Sequence, residues 1–525
     1  MGIISSRSIK TFMARKRDDF TWLKKQTKRE LNTMMHELPV RPPIWKRLAM
    51  HQRVMFLLGA NMRRWCFFAD TGMGKTFLSL ALIRYFKRAK VARKFIVLVP
   101  NRSNKIEWQL QLDKHAPMIK YEVLSGSSAH KFDSVLALKS DVYIDTYYGF
   151  IRMLCDVKED TRKRSKKKNR FVPNAGRVRK IAKVLQGAIL DESTYIGNKT
   201  KLPFRIINKV TKDMPCCFEL TATPFGRNPE KMWSQLFLVD HGYSLGETLG
   251  LFRAAFYNQR QNSWGGVEYK YNARMDETLH RFIKHCSIVY EAHEGDLPKV
   301  VTMQRYTVLD SSTNDYYIKA RTALFKSSGF EETKNAFLRM RQISAGFLGY
   351  NNDDTGTKAS YVFPENPKLD LLQESLEQMS PKYKAIVFHE FRQSGKLICE
   401  RLRSMGIGYV ELNGGTKNTD VVLRRFKDEP KVRVLVLSNS AGGYGLNLQA
   451  ARYGFYYEAP VSPIIRYQTM KRFWRQYSEH ESVFVVDLIV RDTVDEDILV
   501  FHKEGADLWQ AILQKGAAAA MQKLA

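Results

Sequence analysis

Short apolar runs alternate with stretches of helical spacing in two separate parts of the chain. Each part holds five such runs, and each run has the length of a buried strand. Strands that alternate with helices favour a parallel sheet with helices on both faces. The sequence therefore predicts an α/β fold with two doubly wound parallel-sheet lobes. The predicted strands are Cys66–Ala69, Phe95–Val99, Val142–Asp145, Ala188–Asp191 and Phe218–Thr221 in the first lobe, and Ala385–His389, Tyr409–Leu412, Val432–Leu437, Tyr453–Tyr457 and Ser482–Leu488 in the second.

The remaining segments complete a five-part organisation. The chain has 525 residues, which is too long for one ordinary core. The segment between the lobes has helical spacing and many aromatic and arginine residues, so we expect helical protrusions and a linker there. The predicted parts are a basic N-terminal extension (1–40), lobe 1 (41–244), the protrusions and linker (245–365), lobe 2 (366–500) and a C-terminal helix or tail (501–525).

The charge balance points to a polyanionic partner. The chain has 85 basic and 53 acidic residues, a formal net charge of +32. Nucleic acid is the first candidate partner, and an anionic membrane surface is the second. No apolar run approaches the length of a transmembrane helix, so we expect no membrane partner. The six cysteines are scattered without a CxxC spacing, which disfavours a zinc site and favours a reducing, cytoplasmic compartment.

A glycine-containing loop follows the first predicted strand. The sequence Ala69–Thr76, ADTGMGKT, has alanine where the usual phosphate-loop pattern has its first glycine. Two glycines still allow a tight turn whose backbone N–H groups converge on phosphate, and a helical stretch follows. We therefore predict that the loop binds ATP with Mg²⁺, against the alternative of an ordinary glycine-rich turn. The predicted ligands are Thr71, Gly72, Met73, Gly74, Lys75 and Thr76, with the Thr76 hydroxyl on the metal.

Two adjacent acids end another predicted strand. The stretch Gly187–Thr194 reads GAILDEST. Two buried acids side by side are unfavourable unless a cation is near. We predict that Asp191 holds Mg²⁺ and that Glu192 orients and polarises the attacking water. The alternative is a pair of acids that caps a helix.

The order of these stretches resembles that of superfamily-two helicases, and most closely the Swi/Snf-type branch of DNA translocases. ADTGMGKT and LDEST are followed by LTATP at Leu220–Pro224, by SNSAGGYGLNLQAA and by QTMKRFWRQ at Gln468–Gln476. The resemblance covers roughly residues 47–499 and implies two RecA-like lobes. The acid box departs from the usual Asp-Glu-Gly/Ala-His, and the final motif ends in Gln-Tyr-Ser. The compact form is similar to translocases carried by bacteriophages and other viruses.

The resemblance also implies roles for single residues. Gln52 would read the adenine, and the second lobe would complete the hydrolysis site, where a cation stabilises the charge that spreads at the γ-phosphate. The alternative for that cationic motif is a solvated basic helix. The implied residues are Gln468, Arg472 and Arg475 for catalysis, with Arg475 as the finger and the two arginines on one helix face; Gly445 for the nucleotide; Thr221, Thr223 and Gly443 for coupling; and Arg102, Lys105, Thr146 and His389 for nucleic acid.

The densest charge run lies inside lobe 1. Residues 158–183 contain twelve basic and two acidic residues. Such a run cannot pack against itself, so we predict a sequence-independent phosphate contact, against the alternative of a solvated loop. The predicted contacts are Lys163, Arg164, Lys166, Lys167, Lys168 and Arg170.

Together these features predict an ATP-dependent translocase or helicase that acts on double-stranded or branched DNA. The outcome would be fork remodelling, branch migration, unwinding or displacement of bound protein. One alternative is an RNA-dependent ATPase or helicase. Others are a motor subunit of a nuclease or modification complex and a DNA-binding scaffold without activity. We expect a monomer, with replication or recombination proteins as further partners.

Overall fold

The computed structural model describes residues 6–159, 169–222, 229–261, 267–291, 297–326, 330–351, 358–416, 418–442, 446, 448–475, 478–500 and 502. These residues form two compact units. The first unit comprises the described residues up to 291, and the second comprises those from 297 onwards.

The first unit is built around a seven-stranded sheet. Its order is β11-β1-β8-β7-β2-β4-β3, and every neighbouring pair is parallel. The pairs β5–β6 and β9–β10 form separate antiparallel hairpins. The strands are β1 Arg64–Ala69, β2 Phe95–Val99, β3 Tyr121–Val123, β4 Val142–Thr146, β5 Cys155–Glu159, β6 Asn169–Pro173, β7 Gly187–Asp191, β8 Cys216–Thr221, β9 Tyr257–Gln261, β10 Val267–Tyr271 and β11 Ser287–Tyr290. The helices are α1 Ser6–Ala14, α2 Lys28–His36, α3 Met50–Met62, α4 Lys75–Arg88, α5 Arg102–His115, α6 Ser128–Leu136, α7 Tyr147–Met153, α8 Ala175–Val184, α9 Leu202–Thr211, α10 Glu230–Asp240, α11 Leu249–Phe256 and α12 Asp276–Ile283.

The second unit repeats the plan with six strands. Its sheet has the order β12-β19-β18-β15-β17-β16, again with only parallel pairs, and β13–β14 is an antiparallel hairpin. The strands are β12 Lys299–Thr307, β13 Phe347–Asn351, β14 Lys358–Val362, β15 Lys384–His389, β16 Gly408–Leu412, β17 Val432–Ser438, β18 Ala451–Tyr456 and β19 Ser482–Val490. The helices are α13 Ser311–Lys326, α14 Phe330–Ser344, α15 Pro367–Glu377, α16 Arg392–Ser404, α17 Thr419–Asp428, α18 Asn439–Gly442 and α19 Pro463–Met470.

The central strands are buried on both faces. Every residue of β2, β7 and β8 is buried, as a parallel sheet covered by helices requires. This burial explains why these strands read as continuous apolar runs in the sequence. The prediction of two α/β lobes with parallel sheets is confirmed, and the ten predicted strands occur within two residues of their expected bounds.

The segment 245–365 contains strands as well as the expected helices. Its strand β11 is one edge of the first sheet, and its strand β12 is one edge of the second. Edge strands are half-solvated: no residue of β12 is fully buried, so its sequence lacks a continuous apolar run. Because β12 lacks such a run, the sequence pattern of the segment indicated helices and not this strand.

The basic N-terminal segment is part of the first unit's core. The ring of Phe12 in α1 packs edge-on against Phe256 and Phe282, at centroid separations of 6.5 and 5.7 Å. Leu31 and Met35 of α2 are buried in the same core. The first forty residues therefore contribute apolar anchors as well as positive charge. In the described part of the chain, no helix combines the length and the apolar character needed to cross a bilayer.

Candidate nucleotide-binding and hydrolysis site

The predicted phosphate loop joins the carboxyl end of β1 to the amino end of α4. Gly72 and Gly74 have φ angles of +91° and +70°, in the left-handed region that favours glycine. A Cβ atom on Gly74 would lie 2.1 Å from the Nε2 atom of Gln52. The second glycine is therefore required both by backbone conformation and by the close approach of α3.

The side chain of Gln52 is hydrogen-bonded to the phosphate loop. Its Nε2 donates to the carbonyl of Met73 at 3.2 Å, and its Oε1 accepts from the backbone N–H of Ala49 at 3.0 Å. The ring of His51 also contacts the Met73 carbonyl, at 3.0 Å. The Gln52 amide thus connects helix α3 to the phosphate loop. Adenine recognition by Gln52 stays a prediction of the resemblance.

The side chain of Lys75 folds back onto the phosphate loop that precedes it. Its Nζ donates to the carbonyl of Ala69 at 2.6 Å and to that of Asp70 at 3.1 Å. The side chain therefore points back toward the turn, where phosphate oxygens would replace these carbonyls. The hydroxyl of Thr71 is buried and has no hydrogen-bond partner among the described residues. A buried polar atom without a partner fits a loop that binds a ligand.

The acid box stands at the carboxyl end of β7. The indole Nε1 of Trp108 donates to Asp191 Oδ2 at 2.9 Å, and the hydroxyl of Thr221 donates to Glu192 Oε2 at 3.1 Å. The hydroxyl of Tyr147 donates to the backbone carbonyl of Asp191 at 2.9 Å. Strand β8 and helices α5 and α7 therefore each contribute a hydrogen bond to the two adjacent acids at the end of β7.

The surroundings of Asp191 disfavour its ionised form unless a cation is near. Burial, reinforced by the neighbouring charge of Glu192, raises the pKa of Asp191 to about 6, while the Trp108 hydrogen bond and the Lys75 charge oppose the shift. Glu192 has a φ angle of +50°, an unfavourable conformation for a residue with a side chain, and it begins the 3₁₀ turn Ser193–Ile196. A bound cation would favour the ionised form of Asp191.

The donor set fits Mg²⁺. Thr76 and Asp191 offer hard oxygen ligands, and Mg²⁺ is usually bound by one or two protein oxygens with water and substrate phosphates. Within the described ranges, no group of three or more His, Cys, Asp or Glu side chains could hold a metal. The remaining ligands of Mg²⁺ at such a site would come from water and the nucleotide phosphates.

The second-lobe motif lies at the end of α19. Gln468 is buried within the helix, but α19 ends at Met470, so Arg472 and Arg475 follow it in a series of turns. The expectation that both arginines share one helix face is therefore corrected. After the helix ends, Phe473 is buried in the core, and its ring lies so close to Gly454 that a Cβ on that glycine would be 2.4 Å away. The backbone carbonyl of Arg472 accepts from Leu448 N at 3.0 Å.

Family models match most of the chain. The model of the SNF2-related domain matches residues 49–352. The chain belongs to the SNF2-related domain family. The model of the helicase conserved C-terminal domain matches residues 367–476, which include the arginine motif. The resemblance to the Swi/Snf-type branch is confirmed, and the bacteriophage-like form stays a prediction.

Curated relatives of this SNF2-related protein are longer than it is. An uncharacterized ATP-dependent helicase of Mycoplasma genitalium is 22% identical over 457 residues, which cover 84% of this chain and 39% of that protein. The SWI/SNF chromatin-remodeling complex subunit snf22 of Schizosaccharomyces pombe is 22% identical over 85% of this chain and 26% of its own length. A solved structure, the Sulfolobus solfataricus SWI2/SNF2 ATPase core in complex with dsDNA, is 18% identical over 89% of this chain and 95% of that chain, with a TM-score of 0.38. The chain spans less than half the length of these two curated relatives.

The predicted nucleic-acid contacts of this SNF2-related protein differ in accessibility. Arg102 at the start of α5 and Arg170 in β6 are exposed. The Thr146 hydroxyl accepts from Gly149 N at 3.0 Å as the cap of α7. Lys105 is buried with its Nζ 3.1 Å from Asp145 Oδ1, and His389 is 2% exposed. Contact by the last two would require them to leave their present surroundings.

Several predicted residues lie outside the described part of the chain. They are Lys163, Arg164, Lys166, Lys167 and Lys168 of the basic insert, with Thr223, Gly443 and Gly445.

Trp108 and Tyr147 belong to the candidate site without having been predicted as site residues. The sequence held a signal for each residue. Trp108 lies in a stretch that carries the family resemblance, and Tyr147 directly follows Thr146, a predicted nucleic-acid contact. Their hydrogen bonds to Asp191 join residues 83 and 44 positions apart, and spacing cannot predict such contacts.

Proposed function

We propose that the protein is an ATP-driven translocase that acts on double-stranded or branched DNA. The observation that carries the proposal is the acid box, whose two adjacent carboxylates are held separately by Trp108 and Thr221. A glycine loop with a lysine and a buried threonine hydroxyl stands in the same unit. This combination supports phosphoryl transfer to water.

Each side chain has a distinct task in that reaction. Lys75 binds the β- and γ-phosphates once it leaves the loop carbonyls. Glu192 accepts the proton of the attacking water, and Thr221 holds one of its oxygens and so fixes the direction of the other. Mg²⁺, when bound by Thr76 and Asp191, would neutralise charge on the phosphates. Arg475 of the second lobe supplies the cation for the transition state, and Arg472 supports it.

Hydrolysis would be coupled to DNA through the first lobe's basic surface. In the sequence, strands β5 and β6 flank the lysine residues of the basic insert. Arg170 of β6 and Arg152 of α7 are exposed. The net charge of +32 supports a polyanionic partner. The name of the snf22 relative refers to chromatin remodelling, which supports DNA over RNA.

The first test measures ATP hydrolysis with no nucleic acid, single strands, duplex, forks, four-way junctions and RNA. Glu192→Gln should bind ATP but hydrolyse it at least about a hundredfold more slowly. Lys75→Ala should weaken nucleotide affinity. The matched controls Glu122→Gln and Lys46→Ala change exposed or half-exposed residues of the same unit and should behave as the wild type. Wild-type turnover by Glu192→Gln would contradict the assignment, and stimulation by RNA alone would favour the RNA-dependent alternative.

The second test is a salt titration of DNA affinity. Neutralising Lys163, Arg164, Lys166, Lys167 and Lys168 should flatten the slope of log affinity against log salt by about 0.9 for each duplex phosphate that these side chains bind. Superimposable curves would mean that the insert is a solvated loop. A strand-displacement assay run beside it distinguishes unwinding from translocation without strand separation.

A further inference from the structure

An exposed tyrosine is attached to the hydrolysis site by two independent contacts. Tyr195 lies in the 3₁₀ turn that begins after Glu192, and its backbone N–H donates to the carbonyl of Glu192 at 3.1 Å. Its ring stacks on that of Tyr147, with centroids 4.8 Å apart and planes inclined by 12°. Tyr147 in turn donates to the carbonyl of Asp191. A displacement of the Tyr195 ring would therefore reach both acids.

The two stacked rings differ in their access to solvent. Tyr147 is fully buried, whereas 43% of Tyr195 is exposed. Stacking on Tyr147 covers one face of the Tyr195 ring, and the exposed part of the side chain is open to solvent. An exposed aromatic ring that is fixed in place by stacking on a buried ring is suited to a contact with a ligand.

The surroundings of Tyr195 indicate the chemistry of that ligand. Tyr148, next to Tyr147 in the chain, is 54% exposed, and its ring meets Phe171 of β6 edge-on at 6.2 Å. The guanidinium of Arg152 lies 6.0 Å from the Phe171 ring. Aromatic rings with guanidinium groups beside them are typical of surfaces that hold a nucleic-acid strand. The hairpin that carries Phe171 also carries the lysine-rich insert.

We propose that Tyr195 contacts the DNA strand bound by the first lobe and, as a positioning residue, transmits that contact to Glu192 and Asp191. The inference rests on the proposed DNA-stimulated hydrolysis and specifies how the first lobe senses DNA. Because the left-handed backbone of Glu192 is held by its neighbours, a contact at Tyr195 changes the direction of the Glu192 carboxylate. DNA binding then favours the orientation in which Glu192 faces the attacking water.

The experiment compares the ratio of DNA-stimulated to DNA-free ATP turnover in the wild type, Tyr195→Ala and Tyr195→Phe. Removing one aromatic ring that touches a nucleic-acid strand should lower this ratio about tenfold in Tyr195→Ala, with the KM for ATP unchanged. Tyr195→Phe keeps the stacked ring and should retain most of the stimulation. The control Tyr243→Ala removes a tyrosine of similar exposure, 41%, which packs against the N-terminal segment through Lys16 and Arg15. It should leave the ratio unchanged.

A salt titration of DNA affinity provides a second, independent measurement. Tyr195→Ala should weaken DNA binding about tenfold at every salt concentration, and the slope against log salt should stay that of the wild type, because a tyrosine releases no counterion. Two results would overturn the inference about Tyr195 and leave the proposed function intact. One is an equal loss of DNA-free and DNA-stimulated turnover in Tyr195→Ala. The other is a turnover ratio and a DNA affinity of Tyr195→Ala that both stay within about twofold of the wild type. A wild type that no nucleic acid stimulates refutes the proposed function as well.

Discussion

Glu219 provides a direct test of how the first unit's core tolerates an acid. The residue lies in the middle of β8, paired with Cys66 of β1 and Leu190 of β7, and its side chain is 0% exposed. The nearby hydroxyl of Ser193 directs its proton to Gln235 Oε1 at 2.7 Å. Among the described residues, neither carboxyl oxygen of Glu219 therefore receives a well-formed hydrogen bond. Burial raises the pKa of Glu219 well above its usual range, against the smaller opposing effects of Ser193 and Arg64.

This shift predicts a pH-dependent cost to stability. In the unfolded chain a glutamic acid ionises near about pH 4.3, whereas in the folded unit the proton is retained to higher pH. The folded state then binds more protons than the unfolded state, so stability falls as pH rises above about 4.3 and until the folded pKa is passed. The fall is about 1.4 kcal/mol for each pH unit, because in this range the folded state holds one proton more than the unfolded state. Glu219→Gln mimics the protonated acid at every pH and removes this dependence.

The assay is thermal unfolding of the wild type and Glu219→Gln at about pH 4, 5 and 6, on either side of the unfolded pKa. The two proteins should have similar stability at pH 4, and the advantage of the variant should grow by about 1.4 kcal/mol between pH 5 and pH 6. Because the first unit spans roughly 290 residues, the change corresponds to a difference in Tm of about 2 °C. Glu122→Gln, a half-exposed change on β3, should show no such growth. A constant difference between wild type and variant across this range would refute the reasoning.

Three further predictions concern the hydrolysis site. Gly74→Ala should weaken ATP affinity about tenfold or more, because alanine is strained in the left-handed backbone conformation of this position and its Cβ would displace Gln52; calorimetric titration that gives the wild-type Kd would contradict this. Trp108→Phe removes the hydrogen bond to Asp191 and should lower kcat/KM about tenfold, since a hydrogen bond to a charged group contributes about 1.5–3 kcal/mol; the prediction fails if steady-state kinetics are unchanged. Arg475→Ala should lower DNA-stimulated kcat about a thousandfold while ATP affinity stays the same, and a loss confined to KM would exclude the finger role.

The sequence by itself determined the parts of this protein that depend on local pattern. Parallel strands buried on both faces must be continuously apolar, so β2, β7 and β8 could be predicted almost to the residue. The positions of the glycine loop after β1 and of the two adjacent acids at the end of β7 could also be predicted, because both depend on local sequence, whereas their binding of nucleotide and Mg²⁺ stays a prediction. Their order along the chain led to the correct family.

The tertiary structure decided everything that depends on contacts between distant residues. Strands β11 and β12 join the edges of the two sheets, where half-solvated positions leave no distinctive pattern. The ion pair of Lys105 with Asp145 removes from the surface a lysine that the sequence offered to nucleic acid. The stack of Tyr147 on Tyr195 joins residues from two different motifs. Spacing along the chain reports local periodicity alone, and these contacts exist because parallel crossovers bring the carboxyl ends of separate strands to the same edge of a sheet.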